Sequence, residues 1–142
     1  MTTSTKYEAF WVPGLGDDVD RDESLAVGLG WLAEAEREYC GHGVIVMYAR
    51  KMMGNAPLLA QAASRWEFVS PRTRGSPGRG PVPCVWPPDD RVLELGEFMA
   101  TRSALCVIPG SLYDISGWVR RTGAECLVEA STSLRAWPFL RR

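Results

Sequence analysis

The chain has 142 residues, of which 46% are apolar and 23% charged, and its net charge is −1. This length suffices for one domain with a buried core, and the near-neutral charge excludes a polycationic nucleic-acid coat or a general membrane-surface binder. Because the sequence has neither a signal-peptide pattern nor the roughly 20 apolar residues of a membrane span, we expect a single cytoplasmic domain over residues 1–142.

The sulfur and imidazole groups of the chain do not predict a metal site. The four cysteines are Cys40, Cys84, Cys106 and Cys126. They show no CxxC spacing and form no cluster with the single histidine, His42. We therefore expect free thiols in a reducing compartment, no structural zinc and no cofactor.

Strand and helix patterns alternate from the first residues onward. The apolar run at residues 7–12 predicts a strand, and an acidic loop leads from it into a helix. Gly41 is expected to end that helix, because glycine is the usual left-handed residue at such a position. The run GVIVMYA, residues 43–49, is typical of a strand buried on both faces. A second helix should begin near Asn55, with Pro57 in its first turn.

The second half of the chain continues the alternation. Residues 67–70, EFVS, fit either a short strand or the frayed end of the second helix. Further strands are predicted at residues 82–86 and 104–108, with a helix between them. The last helix is expected to start at Ser111, and a short strand at residues 125–129 follows it.

This alternation predicts an α/β fold. The expected architecture is a three-layer sandwich around a mostly parallel, five-stranded sheet of flavodoxin-like or Rossmann-like type, with residues 43–49 and 104–108 at its centre. The helix residues expected to face the core are Leu25, Leu29, Leu32, Leu58, Leu59, Ala62, Val92, Leu95, Met99, Leu112, Ile115 and Val119. The tail at residues 131–142 is too apolar for a free end, and we expect it to pack on the domain or on a partner, including a second copy of the chain.

Residues 70–81, SPRTRGSPGRGP, hold three arginines, three glycines and three prolines and no acidic residue. Ligands of a parallel sheet bind beyond the carboxyl ends of its strands. The segment lies at that edge if residues 67–70 are a parallel strand, or if they pair with residues 82–86 as a hairpin. If residues 67–70 are helical, the segment enters its strand from the opposite edge.

Placed at the carboxyl edge, the segment predicts an anion site. The predicted ligand-binding residues are Arg50, Lys51, Asn55, Arg72, Arg74, Arg79, Trp86 and Ser111. Helix starts near Asn55 and Ser111 would offer free N–H groups, and arginine offers paired donors to phosphate or carboxylate. The three glycines would let the backbone approach the ligand, and Trp86 or Trp11, at strand ends, could stack on a ring. The competing interpretation is a solvated Arg/Gly/Pro loop.

The sequence favours a non-catalytic binding module over an enzyme. The expected partner is a small phosphate-bearing ligand, then an acidic protein surface. Nucleic acid is disfavoured, because three arginines on a near-neutral chain give only weak, salt-sensitive attraction. No catalytic residue is predicted, since His42 should lie at the opposite edge and Ser111 lacks a GxSxG motif. The alternative is a Mg²⁺-dependent nucleotide-processing enzyme that uses Asp17 or Asp18, although such an acidic run also fits a helix start.

Overall fold

A computed structural model of the chain describes residues 7–12, 21–49, 57–73, 75–110 and 113–127. Strands and helices alternate along these residues. In chain order they are β1 (Glu8–Trp11), α1 (Arg21–Tyr39), β2 (Val44–Val46), α2 (Pro57–Ala62), β3 (Glu67–Val69), β4 (Val82–Val85), α3 (Asp90–Met99), β5 (Ala104–Ile108), α4 (Ser116–Thr122) and β6 (Glu125–Cys126). No helix within these ranges is long and apolar enough to cross a membrane.

The strands form one parallel sheet in the order β3-β2-β4-β5-β1-β6. This confirms the predicted α/β class. It also settles the ambiguity at residues 67–70, since β3 is a parallel strand at the edge of the sheet. The central pair is β4 and β5, so β2, which was predicted at the centre, lies one place from the edge. The sheet has six strands where five were predicted. The flavodoxin-like or Rossmann-like assignment is not confirmed: both of those orders place β1 beside β2, whereas β1 here lies between β5 and β6.

Side chains of the central strand β5 alternate between two hydrophobic clusters. Cys106 and Ile108 pack with residues of α1 and α2, whereas Leu105 and Val107 pack with residues of α3 and α4. All five residues of β5 are buried, as expected for a strand covered by helices on both faces. Of the helix residues predicted to face the core, Val119 is half-buried and Leu112 lies outside the described residues, whereas all the others are buried.

Two helix ends differ from the sequence prediction. Cys40 takes the left-handed conformation after α1, with φ 53°, and Gly41 does not. Glycine is needed at position 41 for a different reason: an added Cβ would lie 2.6 Å from the backbone nitrogen of Gly80. The last helix begins at Ser116, whose backbone N–H donates to the Asp114 carboxylate at 2.9 Å, and not at the predicted Ser111.

Candidate functional site

The Arg/Gly/Pro segment, residues 70–81, begins at the carboxyl edge of the sheet, directly after β3. Its first four residues form a hydrogen-bonded turn: the Thr73 N–H donates to the Ser70 carbonyl oxygen at 3.0 Å. In return, the Ser70 N–H donates to Thr73 Oγ1 at 3.1 Å. This turn, which we call the β3 turn (residues 70–73), fixes the backbone on both sides of Arg72, whose side chain is exposed.

The same segment ends at the amino edge, where it enters β4. An added Cβ at Gly80 would overlap the carbonyl oxygen of His42, which lies just before β2. Ser103, just before β5, donates its hydroxyl to the Gly80 carbonyl oxygen at 2.6 Å. The Val44 N–H donates to the Pro81 carbonyl oxygen at 3.2 Å. Backbone contacts therefore close this end of the segment.

The predicted convergence of arginines is corrected by this path. Arg72 lies at the carboxyl edge, whereas the Arg79 carbonyl carbon would be 2.7 Å from an added Cβ on Gly41, at the amino edge. The two side chains therefore cannot share one small ligand, because a connection between parallel strands must cross from one edge to the other. The glycines differ too. A Cβ added at Gly75 or Gly78 meets nothing within 4 Å, so only Gly80 is needed for a close backbone approach.

A groove of about 450 Å³ lies between the β3 turn and α3. Its lining residues are Pro71, Arg72, Arg91, Glu94, Leu95 and Phe98. Arg91, Glu94 and Phe98 recur at spacings of three and four residues, which places them in a row on one side of the helix. Of these, Phe98 is 44% exposed, an unusual value for a large apolar side chain. We call this site the α3 groove.

The two arginines of the α3 groove carry unneutralised charge. Neither guanidinium forms a hydrogen bond or an ion pair with the rest of the described chain. By contrast, Arg121 on α4 donates to Glu97 at 3.3 Å. Among the described residues, the lining holds two arginines and one carboxylate, Glu94, which gives a formal charge of +1. The α3 groove is thus a local positive site on a chain of net charge −1.

The carboxylates at the start of α3 do not cancel this charge through contact with the arginines. Asp89 caps the helix by accepting the Val92 N–H at 3.1 Å. The Asp90 carboxylate accepts the Tyr113 hydroxyl, and burial together with this hydrogen bond raises the pKa of Tyr113 above its usual value. Both acids therefore serve the local structure around the helix start.

Trp86 is not available to a ligand, which corrects its predicted stacking role. Only 6% of this residue is exposed, and it belongs to the cluster that packs against α1 and α2. Its backbone N–H donates to the Ile108 carbonyl oxygen at 2.7 Å, and its φ of 50° is uncommon for a bulky residue. Trp86, the residue that follows β4, is therefore part of the hydrophobic core.

Several predicted site residues lie outside the described residues: Arg50, Lys51, Asn55, Arg74, Ser111, Asp17 and Asp18. Within the described ranges, no group of three or more His, Cys, Asp or Glu side chains could hold a metal ion. The Cys84 and Cys106 thiols are fully buried, and burial raises the pKa of each well above its usual value. Neither is therefore suited to act as a nucleophile.

A second, more apolar concavity of about 360 Å³ lies where β1 and β5 end. Its residues are Trp11, Pro109, Tyr113, Asp114, Ile115, Ser116, Val119 and Arg120. Hydrogen bonds from Ser116 hold the pKa of the Asp114 carboxyl below its usual value. Trp11, noted in the sequence as a strand-end aromatic, is half-buried there. Among its described residues, Arg120 is the one arginine.

Sequence reasoning missed Arg91, Glu94 and Phe98. The available signal was an aromatic residue on the polar side of α3, away from Val92, Leu95 and Met99. Comparison of the chain with protein-family models, with curated proteins and with solved structures finds no match. The chemistry of the α3 groove is therefore inferred from the residues that line it.

Proposed function

We propose that this protein is a binding module that holds a small phosphate-bearing ligand in the α3 groove. The observation that carries the proposal is that Arg72 and Arg91, which come from separate elements, line one groove and have no ion-pair partner among the described residues. A guanidinium donates two parallel hydrogen bonds to phosphate, so two of them can hold several oxygens of one phosphoryl group.

The surrounding structure supports this role. The β3 turn holds the backbone beside Arg72, and Arg91 lies in the first turn of α3, whose start is capped by Asp89. Because both backbones are fixed before the ligand arrives, less conformational entropy is lost on binding. Both side chains are exposed, so the attraction should weaken as salt rises.

The groove favours binding over catalysis. Its described lining contains neither a histidine nor a cysteine nor a hydroxyl group, and Glu94 is its single carboxylate. Group transfer usually requires an activated nucleophile, a tuned acid–base pair or a metal. We place the protein in the cytoplasm as part of this proposal, since phosphate metabolites are abundant there and its cysteines are free thiols.

The test is isothermal titration with inorganic phosphate and ribose 5-phosphate. The groove variant carries Arg72→Gln and Arg91→Gln. Its matched control carries Arg79→Gln and Arg102→Gln, which remove the same charge at two exposed positions of the amino edge. We expect the groove variant to raise the Kd at least tenfold, which corresponds to about 1.4 kcal/mol, and the control to leave it within about twofold.

Two results would contradict the proposal. Equal weakening in the groove variant and in its control would mean that overall charge, not the groove, attracts the anion. If no phosphate compound binds, the proposed function is wrong. An acidic protein surface would then be the remaining partner for the arginines.

A further inference from the structure

Of the four α3 side chains that line the groove, three follow one another in a row along the helix. Arg91, Glu94 and Phe98 lie on one side of the helix, with Arg91 near its start and Phe98 near its end. Seven residues separate the first from the last, which at 1.5 Å per residue is roughly 10 Å along the helix axis. The groove therefore offers a cation, a hydrogen-bond acceptor and an aromatic ring in succession.

We infer that the ligand is a nucleoside monophosphate, an inference that rests on the proposed function. Its phosphate lies between Arg72 and Arg91, its ribose hydroxyls donate to the Glu94 carboxylate, and its base stacks on Phe98. The order of the three groups along the ligand matches the order of the three side chains along α3. The groove volume, about 450 Å³, lies within the usual range for small-molecule sites.

Phe98 supplies the evidence for a ring in the ligand. Among the described residues, the large apolar side chains that are exposed are Tyr48 at 45% and Phe98 at 44%. Tyr48 lies outside the α3 groove, whereas Phe98 shares it with both unpaired arginines. Stacking of a base on an aromatic side chain contributes about 1–3 kcal/mol, so the ring gives a nucleotide a measurable advantage over a sugar phosphate.

Glu94 supplies the evidence for a hydroxyl-bearing sugar and for a single phosphate. An ionised carboxylate is a pure acceptor and suits a pair of neighbouring hydroxyl groups. The additional phosphates of a triphosphate would extend past Arg72 and Arg91, where the described lining offers no further cation, and the negative charge of Glu94 adds to their repulsion. We therefore expect AMP to bind more tightly than ATP in the absence of divalent cations.

The experiment compares AMP, ribose 5-phosphate and inorganic phosphate by isothermal titration. Wild type should bind AMP at least tenfold more tightly than ribose 5-phosphate. Phe98→Leu, which keeps an apolar side chain and removes the ring, should abolish most of that advantage and leave the Kd of ribose 5-phosphate unchanged. Tyr48→Leu is the matched control, because it removes an equally exposed ring outside the groove, and it should change neither Kd.

A second variant tests the sugar contact. Glu94→Gln should weaken AMP binding several-fold and narrow the difference between AMP and ATP, because the repulsive charge is gone. Urea unfolding of each variant verifies that it is folded, and Phe98→Gln replaces Phe98→Leu if the latter is not.

The outcomes separate the two proposals. If AMP and ribose 5-phosphate bind equally and both depend on Arg72 and Arg91, the nucleotide inference is wrong and the phosphate site stands. If Phe98→Leu and Tyr48→Leu have the same effect, Phe98 is not the stacking surface and the inference is also wrong. If no phosphate compound binds, both proposals fail together.

Discussion

Each end of residues 70–81 holds an arginine and a proline, but the two ends lie in different surroundings. At the carboxyl edge, Arg72 is exposed on the α3 groove and its guanidinium has no ion-pair partner among the described residues. At the amino edge, Gly80 packs against the backbone of Gly41 and His42, and Ser103 donates to its carbonyl oxygen. A segment rich in arginine and glycine therefore does not form one site. The topology places one of its ends at an edge of the sheet suited to binding and the other at an edge that maintains the fold.

The largest expected effect is at the closed end. Gly80→Ala would drive a Cβ into the His42 carbonyl oxygen, so the backbones of two segments must separate. We expect a loss of about 3 kcal/mol in the free energy of unfolding, measured in urea by tryptophan fluorescence. Gly78→Ala is the control, since an added Cβ there meets nothing, and we expect a change of about 0.5 kcal/mol or less. Equal losses would show that the amino-edge contact is not what holds the segment.

A smaller effect is expected from the hydrogen bond at the same end. Ser103→Ala removes the buried hydroxyl that donates to the Gly80 carbonyl oxygen and leaves that oxygen without this donor. The expected loss in the free energy of unfolding is about 1–2 kcal/mol. Ser76→Ala, at an exposed position in the same segment, should have no measurable effect. If the two variants were equally stable, the amino-edge end would be held by backbone packing alone.

The smallest effect is expected at the carboxyl edge. Thr73→Val removes the hydroxyl oxygen that accepts the Ser70 N–H in the β3 turn, at a cost of about 1 kcal/mol or less. Because the turn positions Arg72, we also expect the Kd for ribose 5-phosphate to rise roughly threefold, which corresponds to about 0.65 kcal/mol. Thr73→Ser keeps the hydroxyl and should restore both values. If Thr73→Ser did not restore the Kd, the hydrogen bond of the β3 turn would not be what positions Arg72.

Local patterns predicted much of the fold. The spacing of Leu25, Leu29 and Leu32 gave the buried face of α1, and the apolar run at residues 104–108 gave the central strand, since burial follows directly from periodicity. The sequence could not show that Cys40, rather than Gly41, takes the left-handed conformation. Local patterns also could not show the close approach of Gly41 to Gly80, which are far apart in the chain.

The candidate site was predicted only in part. Arg72 was identified because charge concentration is visible in a sequence, but its partners on α3 were not. Their proximity depends on the position of the edge strand β3, and strand order cannot be read from periodicity. Trp86 was assigned to a ligand because it follows a strand, whereas tertiary packing draws it into the core. Long-range topology, rather than local preference, decided each of these differences.

The most direct test of the account is a two-dimensional ¹H–¹⁵N NMR titration of the protein with AMP. We expect the largest changes in amide chemical shift at Arg72, at Thr73 and at residues 91–98 of α3, because these residues line or flank the groove. The amide signals of residues 41–43, 79 and 80, at the closed amino edge, should not move. Shift changes concentrated at the amino edge, or around Trp11 and Tyr113 in the second concavity, would contradict the assignment of the α3 groove as the binding site.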